Sequence, residues 1–138
     1  ISMSPAGGAA GIGASPQKLL DGAMADYYAS QYDLAILGLD SYIKTFPQSP
    51  QVDYAQFHVG ASYTNQGKYE KAIEAYGTLI KNYPKSSFVP DAYVKMGTAY
   101  KTLKQADKAR ESFEFVVQNY PDTVAATMAQ QNLIPQRP

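Results

Sequence analysis

DYAQFHVGASYTNQGKYEKAIEAYGTLIKNYP, residues Asp53–Pro84, decides the fold, because the chain on either side of it reads as imperfect copies. Its marked positions are Val59-Gly60, Tyr63, Gly67, Tyr69, Ala72, Tyr76, Leu79 and Pro84. At 37 residues further on stand Met96-Gly97, Tyr100, Lys104, Ala106, Ala109, Phe113, Val116 and Pro121. At 37 residues back stand Gly22-Ala23, Asp26, Ser30, Tyr32, Ala35, Leu39, Tyr42 and Pro47. Self-similarity at a fixed period of this order marks a solenoid, in which each unit buries its apolar faces against its neighbours.

Each unit closes on an aromatic, a proline, a variable residue and a small hydroxyl: Phe46-Pro47-Gln48-Ser49, Tyr83-Pro84-Lys85-Ser86 and Tyr120-Pro121-Asp122-Thr123. Proline disfavours helical geometry in the residue before it and lacks the N–H that an interior helical position needs. A hydroxyl can accept from the free amides of a new helix. The motif therefore predicts a stop followed by a capped start, three times over.

The expected helices follow. Ser15-Pro16 is a start signal, and a first helix is predicted from about Pro16 to Ala29. A second helix carries Tyr32, Ala35, Ile36, Leu39, Tyr42 and Ile43 at helical spacing and ends at Phe46-Pro47. The second unit predicts helices from about Pro50 to Gln66 and Tyr69 to Asn82, with Gly67 supplying a left-handed turn. The third predicts Ser87 to Leu103 and Ala106 to Asn119, and Thr123 to Leu133 reads as a lone terminal helix covering the last apolar face. The expected organisation is a Gly/Ala/Ser linker over 1–15, a repeat domain over 16–134 with repeats 16–49, 50–86 and 87–123 and a cap over 123–133, and a tail over 135–138. The uncharged stretch ISMSPAGGAAGIGAS lacks the basic and apolar regions of a signal peptide and reads as a joint to something upstream.

Composition narrows the function. With 138 residues the chain has about one domain's worth of core. Twelve basic and twelve acidic residues leave no excess positive potential for a phosphate backbone, so nucleic acid is not an expected partner. The absence of cysteine removes disulfides and thiolate metal sites. No apolar run is long enough to predict a membrane-spanning helix, so no direct membrane insertion is expected.

The Gly-Ala-x-Tyr core of the first helix of a unit (Gly60, Tyr63; Gly97, Tyr100), the alanine of the second (Ala72, Ala109) and the proline after it resemble tetratricopeptide repeats. The fold expected is all-α, a right-handed α-solenoid of three tetratricopeptide repeats plus a C-terminal capping helix. The long Y-P-x-S/T form of the repeat, with the closing run Thr123 to Leu133, resembles the C-terminal domain of the YbgF family of Tol-Pal proteins, also called cell division coordinator CpoB, over about Pro16 to Leu133. That resemblance implies a periplasmic adaptor that binds a TolA-like envelope protein and coordinates outer-membrane constriction with peptidoglycan synthesis. It also implies a trimerising coiled coil ahead of the linker, with this stretch monomeric alone. A second resemblance is to the outer-membrane barrel-assembly lipoprotein BamD, which shares the long repeat and normally has more copies. The first unit departs from the pattern at Gly22, Ala23 and Asp26, where a large apolar residue, glycine and tyrosine would stand.

Most tyrosines fall at packing positions. Tyr27, Tyr28 and Tyr54 do not. The expected partner-binding groove on the concave face reads Leu20, Met24 and Tyr27 in repeat 1, Tyr54, Phe57, Ala61 and Thr64 in repeat 2, and Asp91, Val94, Thr98 and Lys101 in repeat 3. It runs from apolar to polar and suits a helical or extended segment of another protein. The alternative is a self-association module whose groove is covered by the linker or another copy. The lysine and asparagine clamp by which some such proteins grip a C-terminal carboxylate is replaced by Leu20, Met24 and His58. His58 has no second histidine or cysteine beside it and reads as a hydrogen-bonding residue, not a metal ligand. Glu70 with Glu74 and Glu111 with Glu114 sit among basic residues as solvated faces. No nucleophile elbow, phosphate loop or metal motif is present, so the sequence predicts neither an enzyme nor a cofactor.

Overall fold

The structure, a computed structural model, describes residues 15–135. Residues 1–14 of the expected linker and 136–138 of the expected tail lie outside them. Seven helices follow one another: α1 (Pro16–Tyr28), α2 (Tyr32–Thr45), α3 (Val52–Asn65), α4 (Tyr69–Asn82), α5 (Val89–Thr102), α6 (Ala106–Asn119) and α7 (Val124–Leu133). Each packs on the next in sequence, and α5 also touches α7. This neighbour-only packing is an α-solenoid of three antiparallel helix pairs closed by a single helix.

The 37-residue period is written in the backbone. Among the described residues those with positive φ are Ser30 (62°), Gly67 (75°) and Lys104 (64°), one per repeat at the same register. Each ends its first helix with the same pair of bonds. In repeat 2 the Gly67 amide donates to the Thr64 carbonyl at 2.9 Å and the Lys68 amide to the Tyr63 carbonyl at 2.9 Å. Repeats 1 and 3 form the same turn with an L residue where glycine is preferred.

The aromatic-proline motif stops the second helix of each pair as expected. Phe46, Tyr83 and Tyr120 leave helical geometry at φ −125°, −130° and −134°. Across each proline the hydroxyl residue's amide closes a turn on the aromatic carbonyl, at 3.0, 2.9 and 3.3 Å. The hydroxyls themselves divide. Thr123 caps α7, its Oγ1 accepting from the Ala126 amide at 3.0 Å. Ser49 pairs instead with the Tyr42 hydroxyl, and Ser86 donates to Asp53 Oδ2 at 2.6 Å. The expected cap fails there because two further residues separate the serine from the helix, whereas α7 begins directly after Thr123.

Within each pair one close approach sets the helix spacing. A Cβ on Gly60 would lie 2.6 Å from the Tyr76 ring, and one on Gly97 would lie 2.6 Å from the Phe113 ring. Glycine on one helix makes room for a buried ring on the other. In repeat 1 that register holds Ala23 and Leu39, and the close approach moves to Gly38 of α2, where a Cβ would lie 2.9 Å from the Ala23 Cβ. Tyr76 is fully buried, burial pushes its phenol pKa up to about 12 with the nearby Thr64 hydroxyl opposing that, and no hydrogen bond of normal geometry reaches its oxygen.

Candidate functional site

One stripe runs along the first helix of each repeat next to the expected groove positions. On α3 it is Tyr54, His58, Ala61 and Asn65, spaced four, three and four residues apart, which keeps them on one face. One period back on α1 the stripe ends at Tyr28; one period forward on α5 it is Asp91, Lys95, Thr98 and Thr102, all exposed.

The centre of the apolar end is His58. Its ring lies 4.4 Å from Tyr54, 5.2 Å from Tyr27 and 5.5 Å from Phe57, centroid to centroid. Nδ1 lies 3.0 Å from the Tyr54 carbonyl, which fixes the ring against its own helix. Burial lowers the His58 pKa from its ordinary value, and the Tyr54 carbonyl opposes that. The Tyr54 phenol is pushed up to about 12, first by burial and then by the Tyr28 hydroxyl beside it. Tyr27 is raised by burial as well, with Asn65 Nδ2 donating to its hydroxyl at 3.4 Å. Tyr28 stands edge-on to Tyr27 at 5.4 Å and is 72 % exposed. Tyr27, Tyr54 and His58 are half-buried rings. They offer flat apolar faces with polar rims.

The structure divides the expected groove residues. Tyr27, Tyr54 and Ala61 are half-buried, and Lys101 is exposed, its Nζ donating to Asn132 Oδ1 at 3.4 Å. Leu20 and Val94 are not groove residues. They are 2 % and 3 % exposed, the first packed with Leu39, Val59 and their neighbours, the second with Phe113 and the alanines of α7. Met24 is buried with Leu20. Phe57 leans inward, 5.4 Å from Tyr76 and 5.3 Å from Phe88. Leu20, Phe57 and Val94 share one register 37 residues apart, so a single misplaced face accounts for all three. Tyr28, His58 and Asn65 complete the surface. The period itself could have found them, since Tyr28 and Asn65 also stand 37 residues apart. Among the described residues no group of three or more His, Cys, Asp or Glu converges as metal ligands would. No described helix is long and apolar enough to cross a membrane.

The YfiO family, outer membrane lipoproteins, matches residues 13–107, more than half of the chain. The chain belongs to that family. It is a family of the cell envelope, and an outer-membrane lipoprotein is also what the second of the two resemblances drawn from the sequence names. No curated protein matches the chain. The solenoid is similar to the TPR domain of Arabidopsis OM64, at a TM-score of 0.69 and 18% identity over 86% of this chain and 93% of that one. It is similar to the second TPR domain of human RPAP3, solved in complex with the HSP70 peptide SGPTIEEVD, at 0.68 and 19% over 88% of this chain and 100% of that one. The MamA protein superimposes at 0.65 and 22% over 90% of this chain and 61% of that one. At these identities the likeness fixes the fold: a tetratricopeptide domain, a type of fold whose members generally bind proteins and carry no catalysis.

Proposed function

We propose that this chain is a non-catalytic adaptor of the bacterial envelope, periplasmic, whose concave face captures a helical or extended segment of another envelope protein. The observation that carries the reading is the cluster of Tyr27, Tyr28, Tyr54 and His58 at one end of the expected groove: Tyr28 is 72 % exposed and stands edge-on to Tyr27, and Tyr27, Tyr54 and His58 are half-buried, packed on the core on one side with part of each ring left at the surface. Large aromatics in such positions dominate the energy of protein interfaces. The charged and hydroxyl residues Asp91, Lys95, Thr98 and Lys101 at the other end suit a segment that is apolar first and polar after. The peptide complex of the RPAP3 domain is a precedent for a ligand of this class on this fold.

Two partners fit. The resemblance of Pro16 to Leu133 to YbgF supports a TolA-like protein, with a role in coordinating outer-membrane constriction and peptidoglycan synthesis during division. The resemblance to BamD supports an outer-membrane barrel-assembly scaffold, and it is the stronger ground because the family match over residues 13–107 is likewise to outer membrane lipoproteins. Titration calorimetry against the soluble domains of a TolA protein and of a barrel-assembly protein separates the two. Binding to the barrel-assembly protein alone supports the scaffold, binding to TolA alone supports the Tol-Pal reading, and binding to neither overturns the envelope adaptor.

A further inference from the structure

On the opposite face of α1 from the aromatic stripe lies a cleft of about 580 Å³ between α1 and α2. Its floor and walls include Leu19 and Asp26 from α1 and Leu34, Leu37 and Asp40 from α2. Leu34 and Leu37 are 51 % and 69 % exposed. The other two repeats show what belongs there. In repeat 2 the positions of Asp26 and Leu34 are Tyr63 and Lys71, and Lys71 Nζ sits 5.7 Å above the centre of the Tyr63 ring. In repeat 3 they are Tyr100 and Lys108, again at 5.7 Å. The position of the exposed Leu37 is Glu74 in one and Glu111 in the other. Repeats 2 and 3 thus fill the space between their helices with a ring covered by an ammonium group. Repeat 1 leaves that space open, edges it with leucines, and puts carboxylates where the ring and its neighbours would be.

We propose that this cleft is a second docking site, taking from another protein an amphipathic helix that presents an aromatic side chain beside a lysine or arginine. The ring of the partner enters the space that Tyr63 and Tyr100 occupy in their own repeats, and its apolar neighbours cover Leu34 and Leu37. The cation meets Asp26 and Asp40. Asp40 lies partly desolvated, which raises its carboxyl pKa, and the only ion pair among the described residues is Arg110 with Asp107. An incoming cation would find that carboxylate free. Charge also selects among occupants. Asp26 and Asp40 outnumber Lys44 on the cleft wall, so a second copy of this chain brings more like charge than unlike, whereas a basic helix brings complement.

The test uses two fluorescein-labelled helical peptides of about 18 residues, five turns, with the same leucine and tyrosine ridge. One is flanked by lysines, the other by glutamates at the same places. Anisotropy titration of the full chain should show the lysine peptide binding more than about tenfold tighter than the glutamate peptide, weakening as salt rises. D26Y/L34K grafts the repeat 2 pair into repeat 1; it should abolish binding and raise the melting temperature. L37E, which places at an exposed position the residue its sister repeats carry, should abolish binding with the melting temperature unchanged, and it keeps the test valid if the graft does not fold. Equal binding of both peptides, binding of neither, or binding that survives L37E overturns the proposal. So does a parent chain that sediments as a dimer and an L37E chain that does not, which would make a second copy the occupant. Binding seen only after deletion of residues 1–14 would assign the cleft to the chain's own N-terminal segment and overturn it equally.

Discussion

Repeats 2 and 3 are near-copies, and repeat 1 is a variation on them. Gly60 with Tyr76 and Gly97 with Phe113 make the same tight contact, while in repeat 1 the glycine is on the other helix, a Cβ on Gly38 lying 2.9 Å from the Ala23 Cβ. The apolar face that α3 and α5 turn to the preceding pair is Val52, Ala55 and Val59, then Val89, Ala92 and Met96; at the same register α1 has Ser15, Lys18 and Gly22. The first repeat keeps the backbone, down to the positive φ of Ser30, and changes nearly every side chain that would contact a neighbour before it. The comparison teaches that period and packing are separable. The turn chemistry alone maintains the geometry, and the freed side chains of repeat 1 go to the aromatic surface and to the open cleft.

The largest expected effect is on the copies. Gly60→Leu or Gly97→Leu drives a side chain into a buried ring and should lower stability by about 1–3 kcal/mol in a denaturant melt, the usual range for overpacking. Gly22→Leu, at an exposed position with nothing within 4 Å of a new Cβ, should be tolerated. If all three were equally stable, the distinction between copies and variation would fail.

A second outcome uses one copy to correct the other. Tyr76 and Phe113 occupy the same register, and only Tyr76 carries a buried hydroxyl without a partner. Tyr76→Phe should raise stability by about 1 kcal/mol, since a buried donor left unsatisfied carries a desolvation penalty. A loss would mean that the hydroxyl is bonded.

A smaller effect belongs to the turns. Ser30→Gly and Lys104→Gly give the left-handed position the residue that Gly67 already supplies, and each should raise stability by up to about 1 kcal/mol, read as a shift in denaturant midpoint. Gly67→Ala should lower it.

The smallest is pH-dependent. With its pKa lowered by burial in the folded state, His58 binds a proton more readily in the unfolded chain, so stability should fall as pH drops through the ordinary histidine value near 6.5. His58→Gln should flatten the stability profile between about pH 7.5 and 5.5. An unchanged slope would place its origin elsewhere.

Much of this architecture is legible in the amino-acid order. The limits expected for α4 and α6, Tyr69 to Asn82 and Ala106 to Asn119, are those observed, because a pre-proline aromatic ends each helix and a left-handed turn precedes it. α3 and α5 start two residues later than expected, at Val52 and Val89; Ser49 pairs with Tyr42, and Ser86 donates to Asp53 while accepting from the Phe88 amide ahead of the helix. The candidate site was half legible. Helical spacing places Leu20, Phe57 and Val94 one position from the concave stripe, and only the location of the neighbouring helices decides which of two adjacent positions is covered. Tyr28 and His58 were visible as residues without a packing role. Their meeting with Tyr27 and Tyr54 depends on how α1 lies against α3, which no local pattern encodes.

The central claim is that the aromatic end of the groove holds the partner. Tyr28→Ala with Tyr54→Ala, titrated calorimetrically against the envelope protein found to bind and melted in parallel, tests it most directly, since Phe57 belongs to the interior and its loss would strike the fold first. The account expects a loss of about 2 kcal/mol or more in binding, on the scale of interface hot spots, with a small change in melting temperature. Full affinity in the double variant would contradict it.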